Sequence, residues 1–280
     1  MKIFIDEKEA DIVPQNEKTL GDVLSAIETW LGSAGLCVSS IDVDGDASCT
    51  SNMNVLFGKS IDSVSQLKIS TSLVAELHLD ALIEALQCLI AFNNSDFSDI
   101  GVNEKAKIKE NWILSAGSRF LLKNDKHIFS ALNTAFNGGG EENLRQTIMS
   151  RCTEIERMIK TPSSEFAALE NKIQEAVHGL EDLPLDMQTG KDKQASEAIE
   201  LFSKTSDKMF YLINLLLIDI DIDKTVETKL DEFNSALKEF LSAYENKDLV
   251  LTGDLAEYEI APRLIDIYNN VKEILQQRVR

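Results

Sequence analysis

The sequence predicts an α+β protein, with a small β-rich domain over residues 1–73 and an all-α helical bundle region after it. Two observations predict this. Up to Leu73 the apolar residues come in short alternating or clustered units separated by Asp, Gly and Ser, whereas beyond it they recur every three to four residues as far as Leu275. The 280 residues, 44% of them hydrophobic and only 4 of them proline, suffice for roughly two domains with real cores.

In the first segment Ile3 and Ile5 share one face of a strand, and after Asp6-Glu7-Lys8-Glu9 a second short strand is expected around residues 10–14, making a hairpin. Leu20, Val23, Leu24, Ile27, Trp30 and Leu31 follow at helical spacing, with Thr19 placed to cap the helix and Gly32 to end it. Further strands are expected at Leu36–Val43, stopped by Asp44-Gly45, at residues 53–57, and at 67–70 after a short turn at 61–64. Ile3, Ile5, Leu20, Leu24, Ile27 and Leu67 form the expected core. This order of elements resembles the ubiquitin-like β-grasp fold over about residues 1–73. Ubiquitin-like modifiers and sulfur carriers end in Gly-Gly, but here Thr71-Ser72-Leu73 runs on into a helix. The resemblance therefore carries no conjugation or thiocarboxylate role.

Helices are expected at 74–93, 104–122, 126–136 and 141–160, a middle region over 74–160. A C-terminal bundle over 161–280 takes those at 164–179, 192–218, 224–246 and 248–277. Breaks are expected at Asn93-Asn94-Ser95, 137–140, Thr161-Pro162 and Leu183-Pro184. Three stripes in the bundle need one another to be buried. The first runs through Ile199, Phe202, Phe210, Ile213 and Leu217, and the second through Val226, Leu230, Phe233, Leu237, Leu241 and Tyr244. The third runs through Leu251, Leu255, Tyr258, Ile265, Val271 and Leu275, and Pro262 should kink or divide its helix. Residues 183–193 and 254–262 resemble segments of uncharacterised bacterial proteins with a similar N-terminal unit, and that resemblance supplies no catalytic residue.

Charge narrows the partners. Forty-seven acidic against 28 basic side chains give −19, which repels phosphate backbones and anionic lipid headgroups, so neither nucleic acid nor membrane is an expected partner. Residues 161–280 hold 24 of the acidic and 13 of the basic side chains, so the excess is greatest there. Met1-Lys2-Ile3-Phe4-Ile5 runs straight into Asp6, Glu7, Glu9 and Asp11, unlike a signal peptide, and the longest apolar run is far short of the ~20 residues that span a bilayer. Cys37, Cys49, Cys88 and Cys152 are widely spaced, as reduced thiols would be. A cytoplasmic location is the expectation.

No motif commits the chain to one chemistry. Gly58-Lys59-Ser60 lacks the glycine five residues earlier that a phosphate-binding loop requires, Met53 standing there. Gly138-Gly139-Gly140 precedes Glu141 and Glu142, which already complement a helix N-terminus. Asp219, Asp221 and Asp223 alternate like calcium-loop ligands but meet Lys224 and Leu230 where glycine and glutamate belong, and Asp42, Asp44 and Asp46 fail likewise at Ala47 and Met53. Glu175 and His178 have the Glu-x-x-His spacing of di-iron bundles, without the second copy such a site takes. No Gly-x-Ser-x-Gly turn occurs. No catalytic residue, cofactor or metal is assigned.

The remaining signal is a locally basic stretch over 103–127. Lys105, Lys107, Lys109, Arg119, Lys123 and Lys126 there either pair with the acidic bundle or form a docking patch for an acidic partner, and Trp112 and Phe120 are expected to face the core from one helix. Together these features predict a non-enzymatic adaptor or scaffold that acts through a protein partner and can self-associate. Alternatives are a cytosolic chaperone-like bundle for an exported or flagellar protein, or an enzyme of unrecognised type.

Overall fold

The computed structural model describes residues 1–10, 12, 14, 17–33, 35–46, 56–95, 99–139, 141–216 and 224–278, and it divides into two units, Met1–Ile159 and Lys160–Arg280. The first unit opens with strands β1 (Lys2–Ile5) and β2 (Lys8–Ala10), helix α1 (Leu20–Ser33), β3 (Leu36–Val43), a 3₁₀ turn (Ile61–Ser63) and β4 (Gln66–Leu73). The sheet is mixed, in the order β2-β1-β4-β3, with β1 and β4 parallel at its centre and antiparallel pairs on either side.

Short polar side chains set the sheet's register. The β1–β2 turn has only two residues, Asp6 and Glu7, both at positive φ (47° and 67°), so β2 begins at Lys8 and not near residue 10. Asp6 pays back its strain by accepting hydrogen bonds from the Thr71 N–H (2.8 Å) and hydroxyl (2.6 Å), which tie the turn to β4. Asp44 accepts from the N–H groups of Ser65 (3.0 Å) and Gln66 (2.8 Å), and Asp42 from that of Gly45 (2.7 Å). The acidic run 42–46 is thus spent on a turn and the start of β4.

Thr19 caps α1 as expected, in a reciprocal pair: the Asp22 N–H donates to its hydroxyl (3.2 Å) and its own N–H donates to the Asp22 carboxylate (2.9 Å). The left-handed residue after the helix is Gly35, at φ 67°, and not Gly32. Ile3, Leu20, Leu24, Ile27 and Leu67 are buried in one cluster with Val23, Leu31, Val43 and Ile69, while Ile5 is only partly buried against it. Trp30, placed on the buried stripe by its spacing, is 59% exposed. Of the strand expected at 53–57, residues 53–55 lie outside the described residues, and Leu56 and Phe57 are helical. The last strand is longer than the expected 67–70, and a β-bulge at Val38/Ser40 keeps β3 in step with it.

Helices α2 (Val74–Asn94), α3 (Asp99–Leu114), α4 (Ala116–Asn124), α5 (Lys126–Ala135) and α6 (Glu141–Lys160) complete the unit. A single helix over 104–122 does not form. Ser115 breaks it and caps α4 by accepting from the Ser118 N–H (3.0 Å). The break lets Gly117 approach α2 so closely that a Cβ there would lie 3.2 Å from the Ala81 Cα. Trp112 is fully buried, whereas Phe120 belongs to the next helix and is half-buried beside His78.

The second unit contains α7 (Pro162–Ala167), α8 (Glu170–Gln188), α9 (Asp192–Leu216), α10 (Lys224–Glu245), α11 (Leu249–Leu255), a π-helical turn (Ala256–Ile260) and α12 (Ala261–Arg278). Two helix-breaking residues act otherwise than expected. Gly179 lies inside α8 against Ala198 of α9, where an added Cβ would meet the Ala198 Cβ at 3.2 Å. Pro184 is also inside α8, its ring against Gly253 of α11, and the helix stops only at Thr189 and Gly190 (φ 72°).

Phe202 and Phe210 of α9 meet Phe233 of α10 with ring centroids 6.5 and 5.2 Å apart, and Phe166 stacks on Tyr268 at 5.0 Å. The expected stripe on α9 faces inward, and those on α10 and the last helix do so only in part. On α9, Ala195, Phe202, Met209, Leu212 and Ile213 are buried, with Ile199 and Phe210 half-buried and Leu217 outside the described residues. On α10 the buried line is Val226, Phe233, Ala236, Phe240 and Ala243; Leu230 and Leu237 are half-buried, and Leu241 and Tyr244 face solvent. On the last helix, Leu255 and Val271 are buried as expected and Ile265 and Leu275 half-buried, but Leu251 and Tyr258 are exposed. Pro262 does divide this helix: with no N–H at that position, the chain widens into the π turn, and the Ala261 N–H bonds back to the Ala256 carbonyl. The extra residue advances the helix phase, which buries Ile260, Leu264 and Ile267 in place of Tyr258.

Candidate functional site

The six basic residues fall on three helices. Lys105 lies over the Phe92 ring (5.2 Å to its centroid), and Lys109 donates to the side-chain carbonyl of Asn137 (2.8 Å). Lys107 is exposed on another face of α3, Arg119 and Lys123 are exposed one turn apart on α4, and Lys126 is the first residue of α5. Two of the six thus already hold α3 to its neighbours.

The histidines occupy different settings. His78 is buried with its Nε2 3.4 Å from Asp125 Oδ2. Burial works to raise the Asp125 carboxyl, but His78, the Ile128 N–H and the charge of Arg151 outweigh it and hold the group below its ordinary value. Asp125 also caps α5 by accepting that N–H at 3.2 Å, so the pair locks the α4–α5 corner onto α2. His178 is exposed and lies 3.6 Å from both Glu181 and Asp182, C-terminal neighbours on its own helix. Among the described residues, no group of three or more His, Cys, Asp or Glu side chains could hold a metal ion.

Cys37, Cys88 and Cys152 are free and half-buried, and burial, aided by nearby glutamates, pushes each thiol above its ordinary value. Such thiols are poor nucleophiles. Gly138 (φ 91°) and Gly139 return their N–H groups to the carbonyls of Ala135 and Thr134, so these glycines end α5 and do not cradle an anion. Cys49 and the run 219–223 lie outside the described residues. No helix among the described residues is long and apolar enough to cross a membrane.

Two apolar surfaces stand out instead. In the first unit a groove of about 490 Å³ runs between the β2 end of the sheet and α1, lined by Ala10, Ile12, Val23, Ile27 and Trp30 among others. In the second unit the corner between α10 and α11 leaves Leu241, Tyr244, Leu249, Val250 and Leu251 between 46% and 64% exposed. The corner is tightly built. Lys247 (φ 58°) donates its N–H to the Tyr244 carbonyl (3.0 Å), and Asp248 caps α11 by accepting from the Leu251 N–H (3.1 Å). Thr252, Gly253 and Leu255 take the buried face of α11, so three consecutive apolar residues before them are left outside. Helical spacing assigned Leu241, Tyr244 and Leu251 to the interior; the signal that could have found the corner is the unbroken Leu249-Val250-Leu251, which one face of a short helix cannot bury.

Comparison with known proteins finds a match within each unit. Residues 1–72 match the family described as the TP0873 N-terminal domain, and residues 165–270 match a domain of unknown function, DUF8042. An uncharacterised protein of Treponema pallidum (strain Nichols) is 26% identical over 136 residues, 48% of this chain and 67% of that protein. No solved structure matches the chain. The chain is related to an uncharacterised treponemal protein, and a small N-terminal sheet followed by a helical body fits that relationship.

Proposed function

We propose that the protein is a non-enzymatic adaptor that works in the cytoplasm by binding another protein. The observation that carries this reading is the α10–α11 corner, where five large apolar side chains remain exposed on a firmly capped turn. Exposed apolar residues scattered singly are ordinary, but three consecutive ones beside a tight turn, with two more in the last turns of the helix before it, are the kind of concentration found at interaction surfaces. The head fits the same role. Its β2-β1-β4-β3 order with a parallel central pair, crossed by one helix, supports the ubiquitin-like β-grasp reading, and its groove beside β2 offers a second apolar surface. The same corner also suits a chaperone-like bundle that holds an exported protein.

The test compares affinity purification of the full chain with that of the Leu249→Ser/Val250→Ser variant from the source cells, with bound proteins identified by mass spectrometry. The adaptor reading expects a defined folded partner retained by the parent and lost by the variant. An exported protein bound before it folds would favour the chaperone reading, and identical sets from both baits would remove the corner as a binding surface.

A further inference from the structure

The α10–α11 corner combines apolar exposure with a one-sided charge. Between residues 238 and 259 there are six acidic side chains, Glu239, Glu245, Asp248, Asp254, Glu257 and Glu259, against two basic ones, Lys238 and Lys247. Of these, Glu259 is already engaged by Arg263 (2.5 Å), and the Asp248 carboxylate by the Leu251 N–H (3.1 Å). Glu245 and Asp254 stand exposed at either end of the Leu249–Leu251 step, and Glu257 holds the hydroxyl of the exposed Tyr258 in a hydrogen bond. Asp254, four residues after Val250 and three after Leu251, shares their exposed face of α11, so apolar side chains and carboxylates stand side by side on the unit that carries most of the chain's excess negative charge.

That pattern selects among occupants. A second copy of this chain would bring the same carboxylates to the contact, and like charges facing one another oppose docking. An acidic partner is opposed in the same way, and anionic lipid is repelled. What fits is a segment with apolar anchors one helical turn apart and Lys or Arg beside them. We propose that the α10–α11 corner binds a basic amphipathic helix of a partner protein, laid with its apolar face on Leu241, Tyr244, Leu249, Val250 and Leu251 and its cations toward Glu245, Asp254 and Glu257. The proposal rests on the adaptor reading and names the chemistry of its partner.

The experiment uses the full chain and three synthetic peptides of about five helical turns: a Leu/Lys amphipathic helix, the same helix with Glu for every Lys, and a Gly/Lys peptide without Leu. Binding is followed by fluorescence anisotropy at about 0.15 M salt. The Leu/Lys helix is expected to bind at least about tenfold more tightly than either control, and Leu249→Ser/Val250→Ser, at two exposed positions where the melting temperature is expected to stay that of the parent, should weaken it by a similar factor. Equal binding of the Leu/Lys and Leu/Glu helices, or binding untouched by the double substitution, would overturn the proposal. So would sedimentation showing a parent dimer that the double variant dissociates, because a second copy would then be the occupant. If no peptide binds while purification still recovers a partner that depends on Leu249 and Val250, the adaptor reading stands and only the basic-helix chemistry fails.

Discussion

The sheet of the first unit and the helices of the second hold their shapes with different side chains. In the sheet, carboxylates do much of the fixing: Asp6, Asp22, Asp42 and Asp44 each accept from backbone N–H groups at turns or helix starts. These contacts are directional, and they set which residues pair. In the second unit the work falls to ring contacts among Phe202, Phe210 and Phe233 and to close approaches at Gly179 and Gly253. Those contacts set the distance between helices and leave each helix's register to its neighbours. In the second unit Asp248 caps a helix in the same way, but most of the acidic residues lie on its surface. The same residue type therefore serves mainly register in the sheet and mainly external charge in the second unit.

The sharpest test of this contrast is Phe233→Asp. It places an unpaired charge among Phe202 and Phe210 and is expected to unfold the second unit, seen as loss of its helical signal in circular dichroism. If the variant melts like the parent, the aromatic cluster is not what holds the helices together. Leu24→Ala is the matching change in the sheet unit and should cost about 2 to 5 kcal/mol in denaturant titration. A cost near zero would mean that the carboxylate-held turns suffice without α1's packing.

Gly253→Ala tests the spacing of α8 and α11. The added Cβ would lie 2.9 Å from both Cα and Cβ of Pro184, atoms that cannot swing aside, so a loss of about 1 to 3 kcal/mol is expected. Stability equal to the parent's would show that the two helices can part at no cost.

Asp125→Asn sharpens the electrostatic side. Because the folded-state carboxyl titrates below its ordinary value, its charge contributes stability above the unfolded pKa, about 3.9, and this is lost as pH falls through the folded one. The stability gap between parent and variant should therefore close as pH falls below about 5. A gap that widens in acid would mean that the burial cost exceeds the help from His78, Ile128 and Arg151. The smallest effect is expected for Glu232→Ala, one residue from Phe233 but exposed: less than about 0.5 kcal/mol. A larger loss would place the outer face of α10 against something.

How far the sequence could be read is clearest on single elements. Thr19 with Asp22 announces the start of α1, and Ser60 sits where a short 3₁₀ turn begins, because a cap needs only residues three or fewer apart. The first hairpin was legible, but not that Asp6 and Glu7 alone make its turn, since nothing local favours two non-glycine residues at positive φ; Thr71, 65 residues away, holds the first of them there. Ser115 was missed for a similar reason, because the apolar period runs through it and only the fit of Gly117 against Ala81 requires the break. The basic stretch was legible as composition, but not that Lys105 and Lys109 are occupied by Phe92 and Asn137.

The sequence by itself determined the change from short strands to helices at Leu73, the Thr19 cap of α1, the division of the last helix before Pro262 and the acidity of the second unit, for each follows from residues close together in the chain. Only the tertiary structure decided how far each buried face extends, for Phe202, Phe233 and Val271 are inside as their spacing expects while Tyr258 and Leu241 are not. Gly179 and Pro184 became packing contacts because Ala198 and Gly253 lie against them, and the π turn shifted the phase of everything around Tyr258. That phase turned Leu249, Val250 and Leu251 outward, since α11 buries Thr252, Gly253 and Leu255 and a helix has only one face to give.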